Sequence, residues 1–191
     1  MSALQVPVPR RPFTWTDFLA LGDEDKRELV DGELLEVEVP TLLHEWIVSY
    51  LVHLLTGFAL QHGGKVTASG FKIRISERRG AMPDLQYYKP GRNVPQAGLT
   101  EGAPDLAVEV LSPTSHRHDR VRKLEWYASI GLPEYWIVDP EDQSVQRLVL
   151  VDTAVGKRWQ IAEALDGEGE WRPESFGGMV VSLRTMFTLP E

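Results

Sequence analysis

Residues 104–139 place an apolar strand, a basic helix and a second apolar strand in succession, and this order constrains the fold more than any other feature. The strands are predicted over 106–111 and 135–138, and the helix between them over 117–130. Two parallel strands of one sheet need a crossover of a dozen or more residues, usually a helix. The stretch therefore predicts a right-handed βαβ unit in a mixed sheet flanked by helices.

The rest of the chain supplies further elements of a mixed α/β (α+β) protein. A buried stripe predicts the longest helix over 42–61, closed by Gly63-Gly64. A short helix capped by Thr16-Asp17 is predicted before it, and Asp31-Gly32 predicts a tight hairpin. Further strands are predicted over 66–68, 71–75, 85–88 and 145–151, with a charged turn over 77–80 and short strands in the tail. We expect an irregular N-terminal arm over 1–13 and a single domain over 14–191, with its core at about 41–151.

Composition limits the classes of protein that the chain can belong to. It has no cysteine, so disulfides and cysteine-ligated metal sites are excluded, which suits a reducing cytoplasm. The N-terminus lacks the apolar region of a signal peptide, and no apolar run was expected to be long enough to cross a membrane. The formal net charge of −8 disfavours non-specific nucleic-acid binding unless basic residues gather locally.

One predicted core strand carries an acid in its centre. Side chains alternate along a strand, so Asp105, Ala107 and Glu109 share one face of the strand over 106–111. Burying an unpaired carboxylate costs several kcal/mol, so Glu109 needs a cation, a metal ion or a raised pKa. An arginine partner is the structural alternative, and the candidates are Arg74, Arg120 and Arg122.

A second acid begins the neighbouring strand. Asp84 follows Pro83 immediately before the strand over 85–88, which can bring it beside Glu109. Mg²⁺ prefers oxygen ligands and usually takes one or two protein carboxylates together with water. Asp84 and Glu109 together satisfy that requirement, although a Pro-Asp pair is also ordinary turn chemistry.

These residues resemble a known group of enzymes. Pro83-Asp84, an acid in the next strand, and a following helix and strand resemble the PD-(D/E)xK restriction-endonuclease-like superfamily. The chain from about residue 14 to about 150 resembles, more narrowly, the Uma family of bacterial proteins, generally described as endonucleases. The resemblance implies an αβββαβ core with an N-terminal hairpin and a C-terminal β extension. The segments that carry it are 31–33, 102–113, Asp119-Arg120, Lys123-Leu124 and 134–140.

The resemblance also implies a mechanism and its residues. The superfamily lysine lies two residues after the strand acid, where this chain has Leu111, and the family is thought to have moved it to the next helix, as Lys123. Asp84 and Glu109 would hold Mg²⁺ (or Mn²⁺) for hydrolysis of phosphodiester bonds, with DNA as the expected substrate. Lys123 would orient water or stabilise the transition state. The structural alternative for Lys123 is an intrahelical pair with Asp119.

Four further residues are candidates of lower rank. Asp105 shares the face of Glu109 but equally suits capping of the loop before the strand. His44 and Ser112 suit helix capping or packing as well as a role in the site. The fourth candidate is Glu33, at the exit of the Asp31-Gly32 turn.

Two basic groups are candidates for contact with a phosphate backbone. One lies at the start of the helix after Glu109 and the other on the strand over 71–75 and its turn. Their members are His116, Arg117, His118, Arg120, Arg122 and Lys123, and Lys72, Arg74, Arg78 and Arg79. Solvated charge is the alternative for both.

Two other functions remain open at this point. Asp84 and Glu109 suit a metal-independent acid–base pair, as in glycoside hydrolysis. The chain also suits a non-catalytic scaffold that binds nucleic acid or protein. A homodimer or higher homo-oligomer is expected, because Trp15, Trp126 and Trp171 are candidates for an exposed contact surface.

Overall fold

The computed structural model describes residues 11–22, 25–37, 39–68, 70–112 and 117–190, without the side chains of residues 117–119. Most of the predicted N-terminal arm lies outside these residues. The helices are α1 (Trp15–Leu19), α2 (Leu42–His62), α3 (Arg117–Ser129) and α4 (Leu183–Phe187). The strands are β1 (Arg27–Val30), β2 (Glu33–Glu36), β3 (Lys65–Ala68), β4 (Ile73–Ser76), β5 (Arg79–Ala81), β6 (Leu85–Tyr88), β7 (Leu106–Val110), β8 (Glu134–Asp139), β9 (Ser144–Thr153), β10 (Gly156–Asp166), β11 (Glu170–Trp171) and β12 (Val181–Ser182).

A six-stranded mixed sheet forms the centre of the fold, in the order β10-β9-β8-β7-β6-β3. β7 and β8 are parallel and are joined through α3, while the other neighbouring strands run antiparallel. All side chains of β6 and β7 are buried, as expected of strands covered on both faces. The predicted βαβ unit and the mixed sheet flanked by helices are confirmed.

The strand predicted over 71–75 lies outside the central sheet. It forms β4, which pairs with β5 across a tight turn at Glu77-Arg78. The prediction treated Arg79-Gly80 as part of the turn, but these residues start β5, whose Gly80 pairs with Leu29 of β1. A separate four-stranded sheet, β2-β1-β5-β4, results. It brings β1 close to the central sheet and to α3.

The predicted long helix is observed as α2. Its N-cap is Thr41, whose hydroxyl accepts from the amide of His44 at 3.2 Å, and Gly63 ends it with φ of 81°. Its 21 residues have the length and mean hydropathy of a membrane span, so the expectation that the chain contains no such segment was wrong. Ile47 and Leu51 nevertheless pack in the main hydrophobic core, as in a core helix.

The face that α3 buries differs from the predicted one. The spacing of Val121, Leu124 and Ala128 predicts that these residues point inward. Val121 is instead exposed, whereas Lys123, Trp126 and Tyr127 are buried. The difference arises because Lys123 and Tyr127 point inward to bind the buried Glu109 of β7. The spacing of apolar residues does not predict such polar contacts. The fold therefore buries a charged face of this helix.

The tryptophans expected on the surface are also buried. Trp15 packs against Phe18, with ring centroids 5.8 Å apart, and Trp171 packs against Trp136, with centroids 4.4 Å apart. Trp126 lies within the second apolar cluster. These three side chains therefore supply no dimer surface, because the hydrophobic effect has placed them in the core.

Two short helices differ from the predictions for the chain ends. α1 begins at Trp15 and is capped by Thr14, in a capping box with Asp17, and not by the predicted Thr16-Asp17. In the tail, the predicted strand around Val181 stops at Ser182, whose hydroxyl caps α4. Serine caps a helix well because its side chain satisfies an amide that lacks an intrahelical partner.

Candidate active site

Two carboxylates meet where β6 and β7 run side by side. Leu85 pairs with Val108, and continuing this antiparallel register by one residue puts Asp84 opposite Glu109, on the same face. The Asp84 carboxylate is fixed in place, because its Oδ2 accepts a hydrogen bond from the amide of Val110 at 2.8 Å. The two acids therefore line one cavity.

Glu109 is buried and holds two partners from α3. Its Oε2 lies 3.0 Å from Lys123 Nζ, and its Oε1 accepts from the hydroxyl of Tyr127 at 2.6 Å. The arginines considered as alternative partners have other contacts: Arg74 pairs with Glu77, Arg120 donates to Gln146, and Arg122 lies over the ring of Trp126.

A third carboxylate, which the sequence analysis missed, completes the cluster. Glu28 of β1 is buried, and its Oε1 lies 3.3 Å from Lys123 Nζ and accepts from the amide of Met82 at 3.2 Å. The Lys123 ammonium therefore lies between Glu28 and Glu109. In the sequence, Glu28 is recognisable only as an acid beside Leu29 in a short strand. The tertiary structure shows that both faces of β1 are covered.

Burial controls the protonation of Glu109. The pKa of its carboxyl is raised to about 8, chiefly by removal from water and also by the neighbouring carboxylates of Asp84 and Glu28. The Lys123 ammonium and the Tyr127 hydroxyl oppose it by stabilising the anion. Burial, followed by the charge of Glu109, raises the pKa of Tyr127 well above its ordinary value, so Tyr127 keeps its proton and stays a donor.

The raised pKa of Glu109 predicts a pH-dependent stability of the metal-free protein. The folded state binds more protons than the unfolded state between the ordinary value of 4.5 and about 8, so the free energy of unfolding falls as the pH rises through this window. We expect a fall of a few kcal/mol for Glu109 alone. Urea denaturation of the wild type and Glu109→Gln between pH 5 and 8 measures it, and parallel curves would contradict the prediction.

His44 also lies in the cavity, at the first turn of α2. Its Nε2 is 3.4 Å from Asp84 Oδ2, and its Nδ1 is 3.6 Å from Glu45 Oε1. Burial lowers the pKa of the imidazole, but the hydrogen bond and charge of Asp84, with the charges of Glu45 and Glu109, raise it above its ordinary value overall. The imidazole therefore makes a polar contact in the site, although the amide of His44 serves the N-cap.

The other candidates of lower rank divide between the site and the rest of the fold. Ser112 lines the cavity. Asp105 lies at the far end of β7, where it accepts from the amide of Lys89 at 2.9 Å and lies 3.8 Å from Arg92, so it fastens the preceding loop. Glu33 is exposed on β2 and does not contribute to the lining of the cavity.

The structure places the two predicted basic groups in different surroundings. Arg120 and Arg122 line the cavity together with Lys123, as does Lys26. Lys72 was wrongly included in the second group, since it is buried and its ammonium donates to the carbonyl of Leu21 at 2.8 Å. The predicted positions His116, Arg117 and His118 are outside the described side chains.

The cavity has a volume of about 620 Å³ and is rich in charge. Among the described residues, five carboxylates that line it outnumber four lysines and arginines, and no three His, Asp or Glu side chains form a ready metal cluster. Asp84 and Glu109 alone fit Mg²⁺, which takes one or two carboxylates and retains water. A divalent cation would also offset the excess of negative charge that repels a phosphate.

A solved structure shares this fold. The crystal structure described as that of a "putative nuclease" from Anabaena variabilis superposes with a TM-score of 0.70 at 19% sequence identity. The match covers 92% of this chain and 98% of the other. At this identity the likeness establishes the fold, which is that of a nuclease-like mixed sheet flanked by helices.

The sequence itself identifies the family. The profile of the Uma2 family, described as "Putative restriction endonuclease", matches residues 15–184. The chain belongs to this family, and the resemblance seen in the sequence is confirmed. A search of curated proteins found no match.

Proposed function

We propose that this protein is a Mg²⁺-dependent endonuclease that hydrolyses phosphodiester bonds of DNA, with Mn²⁺ as an alternative ion. The observation that carries the proposal is the meeting of Asp84, Glu109 and Lys123 in one cavity, with the ammonium 3.0 Å from the Glu109 carboxylate. Membership of the restriction endonuclease family supports the same class of reaction. The cysteine-free composition suits the reducing cytoplasm, where we expect the enzyme to act.

Asp84 and Glu109 would hold the metal ion. When bound, the ion supplies Lewis-acid polarisation of the phosphate and lowers the pKa of a water. The amide of Val110 fixes the orientation of the Asp84 carboxylate, and the hydroxyl of Tyr127 fixes that of Glu109. Both acids are therefore preorganised before substrate arrives, which avoids rearrangement during the reaction.

Lys123 would stabilise the negative charge that develops on the phosphate. Its position on α3 replaces the superfamily lysine, since Leu111 occupies the expected place after the strand acid. The long stem spans from α3 to Glu109, and Glu28 holds the ammonium from the other side. Glu28 thus acts as a positioning residue for Lys123.

Incubation with supercoiled plasmid and with single-stranded DNA tests the proposal, each with Mg²⁺, Mn²⁺ or EDTA. We expect cleavage that requires the metal ion. Hydrolysis of glycosides that persists in EDTA would instead favour the metal-independent acid–base pair. DNA binding without turnover under every condition would favour a non-catalytic scaffold.

Replacing Lys123 with methionine is expected to lower kcat by about 10²-fold, because the ammonium stabilises the transition state. Methionine keeps most of the buried stem but leaves Glu28 and Glu109 without their shared cation, so cleavage is compared below the melting temperature of the variant. Single-turnover cleavage measures the effect, and Arg184→Met, at an exposed pair with Glu168, is the matched control. Undiminished turnover in Lys123→Met would remove this residue from the mechanism.

A further inference from the structure

The reacting groups lie within a cavity and not on an open surface. Glu109 and Lys123 are 7% and 8% exposed, so a phosphodiester must enter the cavity to reach them. A volume of about 620 Å³ is in the range of sites that enclose a small molecule. A space of this volume holds about one nucleotide unit.

One wall of the cavity is apolar and exposed to water. It includes Leu35, from β2, and Val37 and Pro40, from the segment that leads from β2 to α2. Leu35 and Val37 are 40% and 49% exposed, and Val39, in that segment, and Leu42, at the start of α2, are exposed as well. Grouped exposed apolar side chains beside a site indicate a binding surface. Enzymes that act on an unstacked nucleotide hold its base against such side chains.

Cationic side chains also line this cavity, although carboxylates outnumber them. Lys26, Arg120, Arg122 and Lys123 lie among its residues, close to the carboxylates proposed to hold a metal ion. Cationic side chains position a nucleic acid through its phosphates, whereas apolar contacts hold the bases. The cavity thus combines a surface for a base with charges for the adjoining phosphates.

The rest of the described surface offers little to a duplex. Affinity for double-stranded DNA depends on neutralising many phosphates, and the chain carries a formal net charge of −8. Most described arginines outside the cavity already face a carboxylate. These pairs are Arg11–Asp17, Arg27–Asp25, Arg74–Glu77, Arg79–Asp31, Arg92–Asp105, Arg147–Glu134, Arg172–Glu170 and Arg184–Glu168.

We infer that the site takes an unpaired nucleotide of single-stranded DNA, at a strand end, loop or flap, with its base against Leu35 and Val37. The inference rests on the proposed function and names its substrate class. Up to four phosphate contacts from the cavity cations predict a shallow salt dependence, with a slope of log K against log salt of about −3 for a single strand.

Binding is measured by fluorescence anisotropy with a labelled 20-nucleotide strand, its blunt duplex, and the duplex with a single-stranded flap. The wild-type protein is used, with Ca²⁺ in place of Mg²⁺ to suppress turnover. We expect the single strand and the flapped duplex to bind at least about tenfold more tightly than the blunt duplex. Equal or tighter binding of the blunt duplex would overturn the inference.

The apolar wall is tested by Leu35→Ser/Val37→Ser. Loss of these side chains is expected to weaken single-strand binding about tenfold, because the base loses its apolar contact. The matched control is Ile161→Ser/Val155→Ser, at positions 57% and 76% exposed that do not line the cavity. Its affinity should stay within about twofold of the wild type. Wild-type affinity in the Leu35 and Val37 variant would overturn the inference.

Cleavage of the same three substrates with Mg²⁺ separates the two proposals. Single-strand preference in binding without any hydrolysis would overturn the nuclease function and leave the inference on the ligand standing. Metal-dependent hydrolysis of the blunt duplex as fast as of the single strand would overturn the inference and leave the nuclease function standing. We expect hydrolysis confined to the unpaired nucleotides.

Discussion

Glu109→Gln is expected to lower metal-dependent DNA cleavage by about 10³-fold or more. The substitution keeps the size of the side chain and an acceptor for the hydroxyl of Tyr127, but it removes the negative charge proposed to hold the metal ion. It also removes a carboxylate that positions the Lys123 ammonium. Both the proposed metal ligand and the proposed stabiliser of the transition state are thereby affected.

Single-turnover cleavage of plasmid DNA at saturating Mg²⁺ measures this effect. The matched control is Glu33→Gln, an exposed acid of the same charge outside the cavity, whose cleavage should equal that of the wild type. Isothermal titration with Mg²⁺ supplies a readout that does not depend on activity, and weaker binding is expected in Glu109→Gln. Full cleavage by Glu109→Gln would refute the assignment.

Arg147→Met is expected to destabilise the fold by about 3–5 kcal/mol, because it leaves the buried Glu134 carboxylate without its cation. Arg147 Nε donates to Glu134 Oε1 at 3.0 Å, and the same oxygen accepts from the indole of Trp136 at 2.7 Å. For a chain of this size the loss corresponds to a melting temperature lower by about 10 °C. Differential scanning calorimetry measures it.

Two further variants make this result specific. The double variant Glu134→Leu/Arg147→Met should be more stable than Arg147→Met, because the buried carboxylate is removed and Glu163, which also loses Arg147, is partly exposed. The indole of Trp136 and the hydroxyl of Ser175 lose an acceptor, which limits the gain. Arg172→Met removes an exposed pair with Glu170 and should change stability by less than about 1 kcal/mol. A double variant as unstable as Arg147→Met would contradict the explanation.

The Arg147 variant also separates stability from catalysis. Tyr135 pairs with Ala107, so Glu134 points to the sheet face opposite that of Glu109. Below its melting temperature, Arg147→Met should therefore cleave DNA at the wild-type rate. The cluster of Glu109 and Lys123, which is proposed for catalysis, and the buried Glu134–Arg147 pair are then functionally independent.

Local patterns in the sequence were sufficient for the elements around the site. The helix α2 and the strand–helix–strand succession are indicated by the periodicity of apolar residues. The Asp31-Gly32 turn is indicated by two adjacent residues. An acid within an apolar strand, such as Glu109, is also recognisable from its neighbours in the sequence. These signals need no knowledge of distant parts of the chain.

The remaining features depend on contacts between distant segments. Glu28 contacts Lys123 because β1 pairs with the β4–β5 hairpin, outside the central sheet, and lies close to α3. The same packing buries Trp126 and exposes Val121, against the apolar pattern of the helix.

By itself, the sequence determined the βαβ unit, the long core helix and the pair of acids, because each is encoded by neighbouring residues. Only the tertiary structure decided which groups face those acids. Lys123 and Tyr127 enclose Glu109 because α3 packs against β7. This packing excludes water, and a buried carboxylate costs free energy only when water can no longer solvate it.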